Sequence, residues 1–309
     1  MPPQVPESTF SSDKIGDGVT AIVVTYHPGP EVPAHLAAIK RQAERVIVVD
    51  NSLTESSREQ VRGWASGLGL ELVQNGANLG VAAALNQGVE LAFRAGPRWI
   101  ASFDQDSAIP EGYFVSLLEA FGTEPDKGRV AVLAPRYRAQ GACVVYSADG
   151  GKQGQAGTLR RMSVASTSGM LVSASALNAV GGFDDELFID GVDHEFCLRC
   201  RRRGWLVLEA SSVLLLHEQG KQETRLFLGR GITINDYPAE RRYYQARNRL
   251  ILYLHYLGFD PRWVGHDAGE GLRELIKFIL VGEERLVKLG AILCGVWHAL
   301  YGRRGPRSG

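Results

Sequence analysis

The chain has 309 residues, of which 45% are hydrophobic and 22% charged, a composition that excludes a disordered chain, a collagen-like chain and a polytopic membrane protein. The 34 basic and 34 acidic residues cancel, so net charge gives no argument for nucleic acid as a partner. The charges are nevertheless unevenly placed. Residues 1–220 carry a net charge of −6 (19 basic, 25 acidic), and residues 221–309 carry +6 (15 basic, 9 acidic). The acidic first part could bind a cation, and the basic second part could face phosphates or an anionic membrane surface.

The ends of the chain and its cysteines indicate a cytoplasmic protein. Residues 1–18 are rich in Pro, Ser and charge and lack an apolar signal-peptide core, so we expect a disordered leader. Four cysteines are too few for a disulfide framework, which favours reduced thiols. The uncharged run at 289–302 has 14 residues, fewer than the roughly 20 that a membrane-spanning helix needs.

The first half of the chain alternates apolar strands with helices. Helices are predicted near 32–42, 57–66, 78–94 and 113–121, between strands at 19–25, 46–49, 71–74, 99–103 and 130–134. Near-continuous apolar strands of this kind are typical of a parallel sheet covered on both faces. Ligands of such sheets bind beyond the carboxyl ends of the strands, where Asp50 and Asp104 lie.

The second half is predicted to be more varied. Residues 136–165 are interpreted as a mobile loop with antiparallel strands at 143–146 and 158–164, followed by a strand at 168–172 and a helix at 174–180. A helix then runs to residue 203 and a strand covers 205–216. Within the C-terminal region, 221–309, helices are predicted at 241–258 and 272–301. We therefore expect one catalytic domain at 19–220, with halves at 19–107 and 108–220, and a C-terminal helical extension.

The end of the chain allows three interpretations. Apolar residues in 286–300 recur at helical spacing, which most simply predicts a helix packed on the catalytic domain. The same residues also fit an amphipathic helix in a membrane interface, with Trp297 and Tyr301 near the headgroups and nearby arginines on anionic lipid. A dimer face at 289–301 fits equally well.

Paired acidic residues supply the strongest chemical signal. Asp104 and Asp106 follow a strand and offer hard oxygen ligands to Mg²⁺ or Mn²⁺, although two acids that cap a turn would look the same. Asp190, Asp193 and Glu195 cluster where a helix begins. One of them could act as a base if burial raises its pKa, but acids at a helix N-terminus are also common for capping alone.

Three further features gain meaning only from their place in the fold. His217 follows a strand and would be a metal ligand only if it lay near Asp106. The turn from Asn78 to Gly80 opens a helix whose amides suit an anion or a ribose hydroxyl, or it is a simple cap. Arg247, close to Arg241, is able to clamp a diphosphate or to lie on a solvated basic face.

The order of these motifs resembles family 2 glycosyltransferases of the GT-A fold, and more narrowly the bacterial rhamnosyltransferase branch. The resemblance covers about 20–248 and rests on the series VVDNS (48–52), NLG (78–80), NQG (86–88), FDQDS (103–107), SG (168–169), GGFD (181–184), ELFIDGVDHEF (186–196), His217 and YYxxRN (243–248). It implies a Rossmann-like, mostly parallel central sheet flanked by helices.

The resemblance also implies a role for each matching residue. Asp193 is the expected catalytic base, Asp190 and Glu195 are expected to orient the site or the acceptor, and a divalent cation is expected on Asp104, Asp106 and His217. The residues expected to bind the nucleotide sugar are Thr25, Tyr26, Asp50, Asn51, Asn78, Gly80, Asp104, Gln105 and Arg247.

The implied reaction transfers L-rhamnose with inversion from dTDP-β-L-rhamnose to a hydroxyl of a glycan, lipid-linked glycan or glycolipid, in polysaccharide, lipopolysaccharide or rhamnolipid synthesis. Such an enzyme would be cytoplasmic, with peripheral contact to the inner face of the cytoplasmic membrane. Two alternatives remain open at this point: a family 2 enzyme that uses another nucleotide sugar, and a catalytically silent nucleotide- or carbohydrate-binding module.

Overall fold

The computed structural model of the chain describes residues 18–138, 159–216, 222–227 and 230–307. The predicted leader at 1–17, the predicted strand at 143–146 and His217 lie outside these ranges. The strands are β1 (Val19–Thr25), β2 (Arg45–Asp50), β3 (Glu71–Gln74), β4 (Trp99–Asp104), β5 (Val130–Arg138), β6 (Leu159–Arg161), β7 (Leu171–Ser173), β8 (Leu206–Leu216), β9 (Gln222–Phe227) and β10 (Arg230–Asn235).

The helices account for most of the remaining described residues. Two single 3-10 turns lie at Lys127–Arg129 and Asp185–Leu187. The α-helices are α1 (Val32–Lys40), α2 (Glu55–Leu68), α3 (Val81–Phe93), α4 (Tyr113–Gly122), α5 (Ala174–Val180), α6 (Val192–Arg202), α7 (Ala239–Tyr256), α8 (Pro261–Val281) and α9 (Arg285–Leu300).

The main sheet has the strand order β3-β2-β1-β4-β7-β5-β8-β6. β1 pairs in parallel with β2 and β4, and β5 pairs in parallel with β8, whereas β6 and β7 are antiparallel to their neighbours. Helices α3, α5 and α6 pack on one face, and α1, α2 and α4 on the other. Every residue of β1 is buried because both faces are covered, which confirms the prediction from its unbroken apolar run.

The strand register brings the candidate residues to one edge of the sheet. Thr25 lies opposite Asp50 across the β1–β2 pair, and Val24 lies opposite Asp104 across the β1–β4 pair. The carboxyl ends of three neighbouring strands therefore meet there, as expected of a sheet of this class. The predicted strand at 168–172 is shorter than expected and begins at Leu171, because Gly169 adopts a left-handed conformation with φ of 81°.

The C-terminal region differs from the predicted helical extension in two respects. β9 and β10 form an antiparallel hairpin that the sequence prediction missed. The single helix predicted at 272–301 is two helices, α8 and α9, which are separated at Gly282–Glu284. The chain turns there because Gly282 is extended and Glu284 is left-handed, with φ of 49°. In the described part of the chain, none of the helices combines the length and apolarity required to cross a bilayer.

Helix α9 packs on α7 through its smallest residues. Ala291, Gly295 and Ala299 are buried on the side that faces α7. At Gly295 the two helices approach so closely that an added Cβ would overlap the carbonyl oxygen of Tyr243. Glycine is therefore required at this position by close backbone contact and not by its conformation.

We predict that Gly295→Ala and Gly290→Ala have opposite effects on stability. The first overpacks the α7–α9 contact and is expected to lower the free energy of unfolding by about 1–3 kcal/mol. The second places a methyl group in open space on the same helix and is expected to raise it by about 0.4–1 kcal/mol. Urea unfolding of both variants checks the prediction, and equal changes would contradict the described packing.

Candidate active site

Asp50 organises the end of β1 and β2. Its carboxylate is fully buried, and Oδ1 accepts hydrogen bonds from the Thr25 hydroxyl (3.0 Å) and the Ser52 hydroxyl (2.6 Å). Oδ2 accepts from the side-chain amide of Gln74 at 3.3 Å. A buried charge needs such partners, so Asp50 holds together the loops that follow three strands. Asp50 would therefore contribute to nucleotide binding indirectly, by fixing the shape of the sheet edge.

The turn before α3 is joined to its surroundings by amide side chains. Asn78 accepts a hydrogen bond from the Gly80 amide (3.0 Å), and Asn51 donates to the Gly80 carbonyl (3.1 Å). The first amide of the helix, that of Val81, donates to the carbonyl oxygen of Phe188 at 2.7 Å. Gly80 has φ of 87° and lies so close to Phe188 that a Cβ would meet that oxygen at 2.5 Å. The turn therefore contacts a loop from the other half of the domain.

The Asp104–Ser107 segment is anchored at both ends. The side-chain oxygen of Gln105 accepts from the Tyr26 amide (2.8 Å), and its carbonyl pairs with Nδ1 of His35 (3.1 Å). Ser107 forms a short hydroxyl–hydroxyl bond with Ser168. These bonds fix the backbone on either side of Asp106, one of whose oxygens, Oδ1, is buried.

The donor set at this edge fits a hard cation. Asp104 and Asp106 both offer carboxylate oxygens, the ligands that Mg²⁺ and Mn²⁺ prefer. Among the residues that the structure describes, no three His, Cys, Asp or Glu side chains group as a ready metal site. The third predicted ligand, His217, follows the last residue of β8 and is outside the described ranges.

Two polar groups from later in the chain, Tyr137 and Arg241, have Asp104 in their electrostatic environment. Burial raises the pKa of the Tyr137 hydroxyl well above its usual value, and the carboxylates of Asp193 and Asp104 raise it further. Burial lowers the pKa of Arg241, but Asp190 and, less strongly, Asp104 outweigh this effect, so the pKa is raised. Asp104 thus lies within electrostatic reach of groups that also face Asp190 and Asp193. Tyr137 was missed because the sequence prediction placed it in a loop.

The three acids of the 190–195 segment have different environments. Asp190 is left-handed (φ 60°) and forms an ion pair of 3.2 Å with Arg241. Asp193 is half-buried in the first turn of α6, and its Oδ1 accepts from the His194 amide at 2.9 Å.

Glu195 is buried and is bonded to Arg199 (2.8 Å) and to the hydroxyl of Tyr256 (3.1 Å). Glu195 was expected to orient the site or the acceptor, and because these partners hold it within the protein, direct contact with the acceptor does not agree with the structure. Glu195 instead attaches α6 to α7.

Arg247 also departs from its predicted role. It is 1% exposed and donates to the carbonyls of Glu186 (3.0 Å) and Leu187 (3.1 Å) and, by a short bond, of Gly305. Its guanidinium is occupied inside the protein, so it is not placed to clamp a diphosphate. Arg241, which is 42% exposed beside Asp190, is the better-placed arginine.

Asn248 completes the support of the 184–190 loop. Its side-chain amide nitrogen lies within hydrogen-bond distance of three carbonyls, those of Leu187 (2.9 Å), Ile189 (2.7 Å) and Asp190 (2.8 Å). Arg247 Nε donates to its Oδ1 at 2.9 Å, which fixes the orientation of the amide. Arg247 and Asn248 therefore hold the loop that leads into α6 and Asp193.

Comparisons with known proteins identify the family. The model described as Glycosyl transferase family 2 matches residues 20–180. A protein of Shigella flexneri named dTDP-rhamnosyl transferase RfbF is 30% identical over 246 residues, which cover 77% of this chain and 80% of the relative. The chain belongs to glycosyl transferase family 2. It is a glycosyltransferase, as the order of its motifs predicted.

Other proteins extend this comparison. The N-acetylglucosaminyl-diphospho-decaprenol L-rhamnosyltransferase of Mycobacterium tuberculosis is 27% identical over 247 residues, covering 68% of this chain and 78% of the relative. A Pyrobaculum calidifontis mannosyltransferase, solved with GDP-Man and Mn²⁺, superposes with a TM-score of 0.55 at 16% identity over 93% of this chain and 88% of its own. GalNAc-T7 superposes with a TM-score of 0.58 at 12% identity over 94% of this chain and 58% of its own. These structures confirm the predicted GT-A fold.

We predict that Asn248→Asp destabilises this glycosyltransferase more than Gln245→Glu, the same change of amide to carboxylate on the same helix. A carboxylate at 248 donates no hydrogen bond and faces three carbonyl oxygens, which is expected to lower the free energy of unfolding by about 1–3 kcal/mol. Glutamate at 245 keeps an acceptor for Arg242, the present partner of Gln245. Urea unfolding provides the measurement, and equal stability of the two variants would argue against a supporting role for Asn248.

Proposed function

We propose that the protein is an inverting, divalent-metal-dependent rhamnosyltransferase that uses dTDP-β-L-rhamnose. The observation that carries the proposal is the strand register, which brings Asp50 and Asp104 to one edge of the sheet. Arg241, which pairs with Asp190 at 3.2 Å, is also within electrostatic reach of Asp104. The choice of donor is supported by the curated relative named dTDP-rhamnosyl transferase, together with the mycobacterial proteins named L-rhamnosyltransferases.

The donor would lie along the carboxyl ends of β1, β2 and β4. Thr25, Asp50 and Asn51 shape the pocket for the nucleoside, with Tyr26, Asn78, Gly80 and Gln105 around it. Asp104 and Asp106 would hold Mg²⁺ or Mn²⁺, with His217 as the proposed third ligand, and a bound cation would offset the negative charge that grows on the departing diphosphate. Arg241 replaces Arg247 as the arginine proposed to face that charge.

Asp193 is proposed to act on the acceptor. Its carboxylate would take the proton from an acceptor hydroxyl, whose oxygen then bonds to the anomeric carbon as the bond to dTDP breaks. Attack opposite the leaving group converts a β-L-rhamnosyl donor into an α-L-rhamnoside. Asp190, held by Arg241, would orient the same region.

The acceptor is proposed to be a glycan or glycolipid carried at a membrane, as in synthesis of surface polysaccharide, lipopolysaccharide or rhamnolipid. The support is the name of the mycobacterial relative, which describes a decaprenol-linked acceptor. We accordingly place the enzyme in the cytoplasm, in peripheral contact with the inner face of the membrane.

We predict that Asp193→Asn slows release of dTDP from dTDP-L-rhamnose by about 10²- to 10⁴-fold, the usual contribution of a general base. Binding of dTDP, measured by calorimetry, is expected to be unchanged because Asp193 is proposed to act on the acceptor side. Asp126→Asn is the control, since Asp126 precedes β5 at the opposite edge of the sheet. Wild-type turnover by Asp193→Asn would remove Asp193 from the mechanism.

We predict that the Asp106→Asn variant shifts the dependence of turnover on Mg²⁺ or Mn²⁺ to higher metal concentrations. Removing one anionic oxygen ligand lowers affinity for a hard cation, so the metal concentration for half-maximal nucleotide release should rise at least tenfold. Wild-type enzyme should be inactive in excess chelator and recover on addition of the metal. Full activity of the wild type in chelator would contradict a metal-dependent reaction.

A further inference from the structure

Helix α9 has an unusual distribution of side-chain size. The residues that it buries against α7 are mainly small, as described above, whereas its large apolar residues point the other way. These exposed residues define the outer face of α9: each is between 57% and 87% accessible, and the set is Leu286, Leu293, Trp297, Leu300 and Tyr301. The first four are separated by seven, four and three residues, and Tyr301 follows Trp297 by four, so all five lie along one side of the helix.

This face requires a covering partner. Single exposed apolar residues are normal on protein surfaces, but a continuous row of five large ones marks a surface that meets a protein or a membrane. The single charged residue between Arg285 and Arg303 is Lys288, which is buried and paired with Asp236 at 2.6 Å, so it does not interrupt the row. A helix that needed only to pack on α7 would place its large side chains inward, as soluble amphipathic helices do.

The surrounding charge favours an anionic partner. No acidic residue occurs from Arg285 to the end of the chain. Arg303 and Arg307 are exposed, and neither forms an ion pair with a carboxylate within the described ranges. The two preceding acids, Glu283 and Glu284, lie at the opposite end of the helix from Trp297, and Glu283 pairs with Arg225 at 3.2 Å.

The aromatic residues lie where an interfacial helix would place them. The rings of Trp297 and Tyr301 pack with their centroids 4.4 Å apart at the C-terminal end of the outer face. Arg303 and Arg307 follow within a few residues. Arg303 lies 3.2 Å from Nε2 of His298 and Arg307 lies over the ring of Tyr243, so both are held near the end of the helix without a carboxylate partner in the described part of the chain. An apolar row, an aromatic pair and adjacent arginines together are typical of helices that lie in the headgroup region of a bilayer.

We propose that the outer face of α9 docks on an anionic lipid surface, with its apolar row in the acyl boundary and Arg303 and Arg307 on lipid phosphates. The proposal deepens the proposed function and rests on it only for the membrane-held acceptor. The C-terminal tail joins this face to the site, because the Gly305 amide donates to Glu186 (2.7 Å) and Arg304 pairs with Asp184 (3.3 Å). Docking would therefore bring the loop before Asp193 close to the membrane.

Vesicle flotation of the full-length protein tests the proposal. Vesicles of phosphatidylcholine alone are compared, at low and high salt, with vesicles that contain about 30% phosphatidylglycerol as the anionic lipid. We expect binding to the anionic vesicles that weakens as salt rises. The double variant Leu293→Glu/Trp297→Glu should bind at least tenfold more weakly, whereas Leu254→Glu, a similarly exposed leucine on α7, should bind like the wild type.

A second variant tests the proposal without changing the apolar row, in case Leu293→Glu/Trp297→Glu fails to fold. Arg303→Gln/Arg307→Gln leaves the apolar row intact and should lower binding at low salt by about tenfold or more, since each basic residue contributes roughly fivefold. Absence of wild-type binding to anionic vesicles would overturn the proposal. Sedimentation that showed dimers lost in Leu293→Glu/Trp297→Glu, without vesicle binding, would instead assign the face to a second copy of the chain.

The experiment separates this proposal from the proposed reaction. Leu293→Glu/Trp297→Glu is expected to keep wild-type release of dTDP from dTDP-L-rhamnose in solution, because the outer face lies outside the donor site. Vesicle binding by a protein that turned over no nucleotide sugar would uphold the docking surface and reject the reaction. Turnover of dTDP-L-rhamnose by a protein that did not bind vesicles would uphold the reaction and reject the docking surface.

Discussion

The contact between the side-chain amide of Asn248, on α7, and three carbonyls of the 184–190 loop is the constraint on which the site depends. Two residues of that loop, Phe188 and Asp190, have left-handed backbones without being glycine. Such conformations cost free energy and persist only where the surroundings hold them. Asn248 and Arg247 support the loop by hydrogen bonds to its carbonyls. The ring of Tyr244 stacks on that of Phe188, with the ring centroids 4.9 Å apart.

The same loop connects the three parts of the molecule. Its Phe188 carbonyl accepts from the first amide of α3, in the half assigned to the nucleotide, and its end leads into α6 and Asp193. The C-terminal tail contacts it through Gly305 and Arg304. A structural change at the turn before α3, at Asp193 or in the C-terminal tail would therefore alter the position of this loop and, through it, the other two parts. This arrangement also explains why the YYxxRN segment of α7 matters although Arg247 is buried away from solvent.

The sequence predicted the first half of the fold well because its strands are covered on both faces and therefore contain unbroken apolar runs. The bounds of β1, β3 and α5 agree with prediction, and the register of β1 against β2 and β4 brings Asp50 and Asp104 to one edge as expected. The hairpin of β9 and β10 was missed because its residues are largely exposed, so no continuous apolar signal marks it. The break between α8 and α9 was missed because apolar periodicity continues on both sides of a single glycine.

The residues that prediction misjudged are those whose role depends on distant partners. Glu195 and Arg247 have the residue types of a catalytic site, but partners that are 61 and 60 residues away in sequence turn both into structural supports. Arg241 acquires its role only because folding pairs it with Asp190, which is 51 residues away in sequence. The Tyr137 hydroxyl likewise depends on distant partners, the carbonyls of Ser166 and Ser168. Spacing along one chain carries no information about such contacts.

The central claim is that this site transfers rhamnose. The most direct measurement is nucleotide release by the wild-type enzyme with Mg²⁺ or Mn²⁺, compared among dTDP-L-rhamnose, UDP-glucose, UDP-galactose and GDP-mannose, with glycan and lipid-linked acceptors supplied. The account predicts turnover of dTDP-L-rhamnose well above that of the other three donors. Faster turnover of any of the other donors, or binding of none of the four, would contradict it.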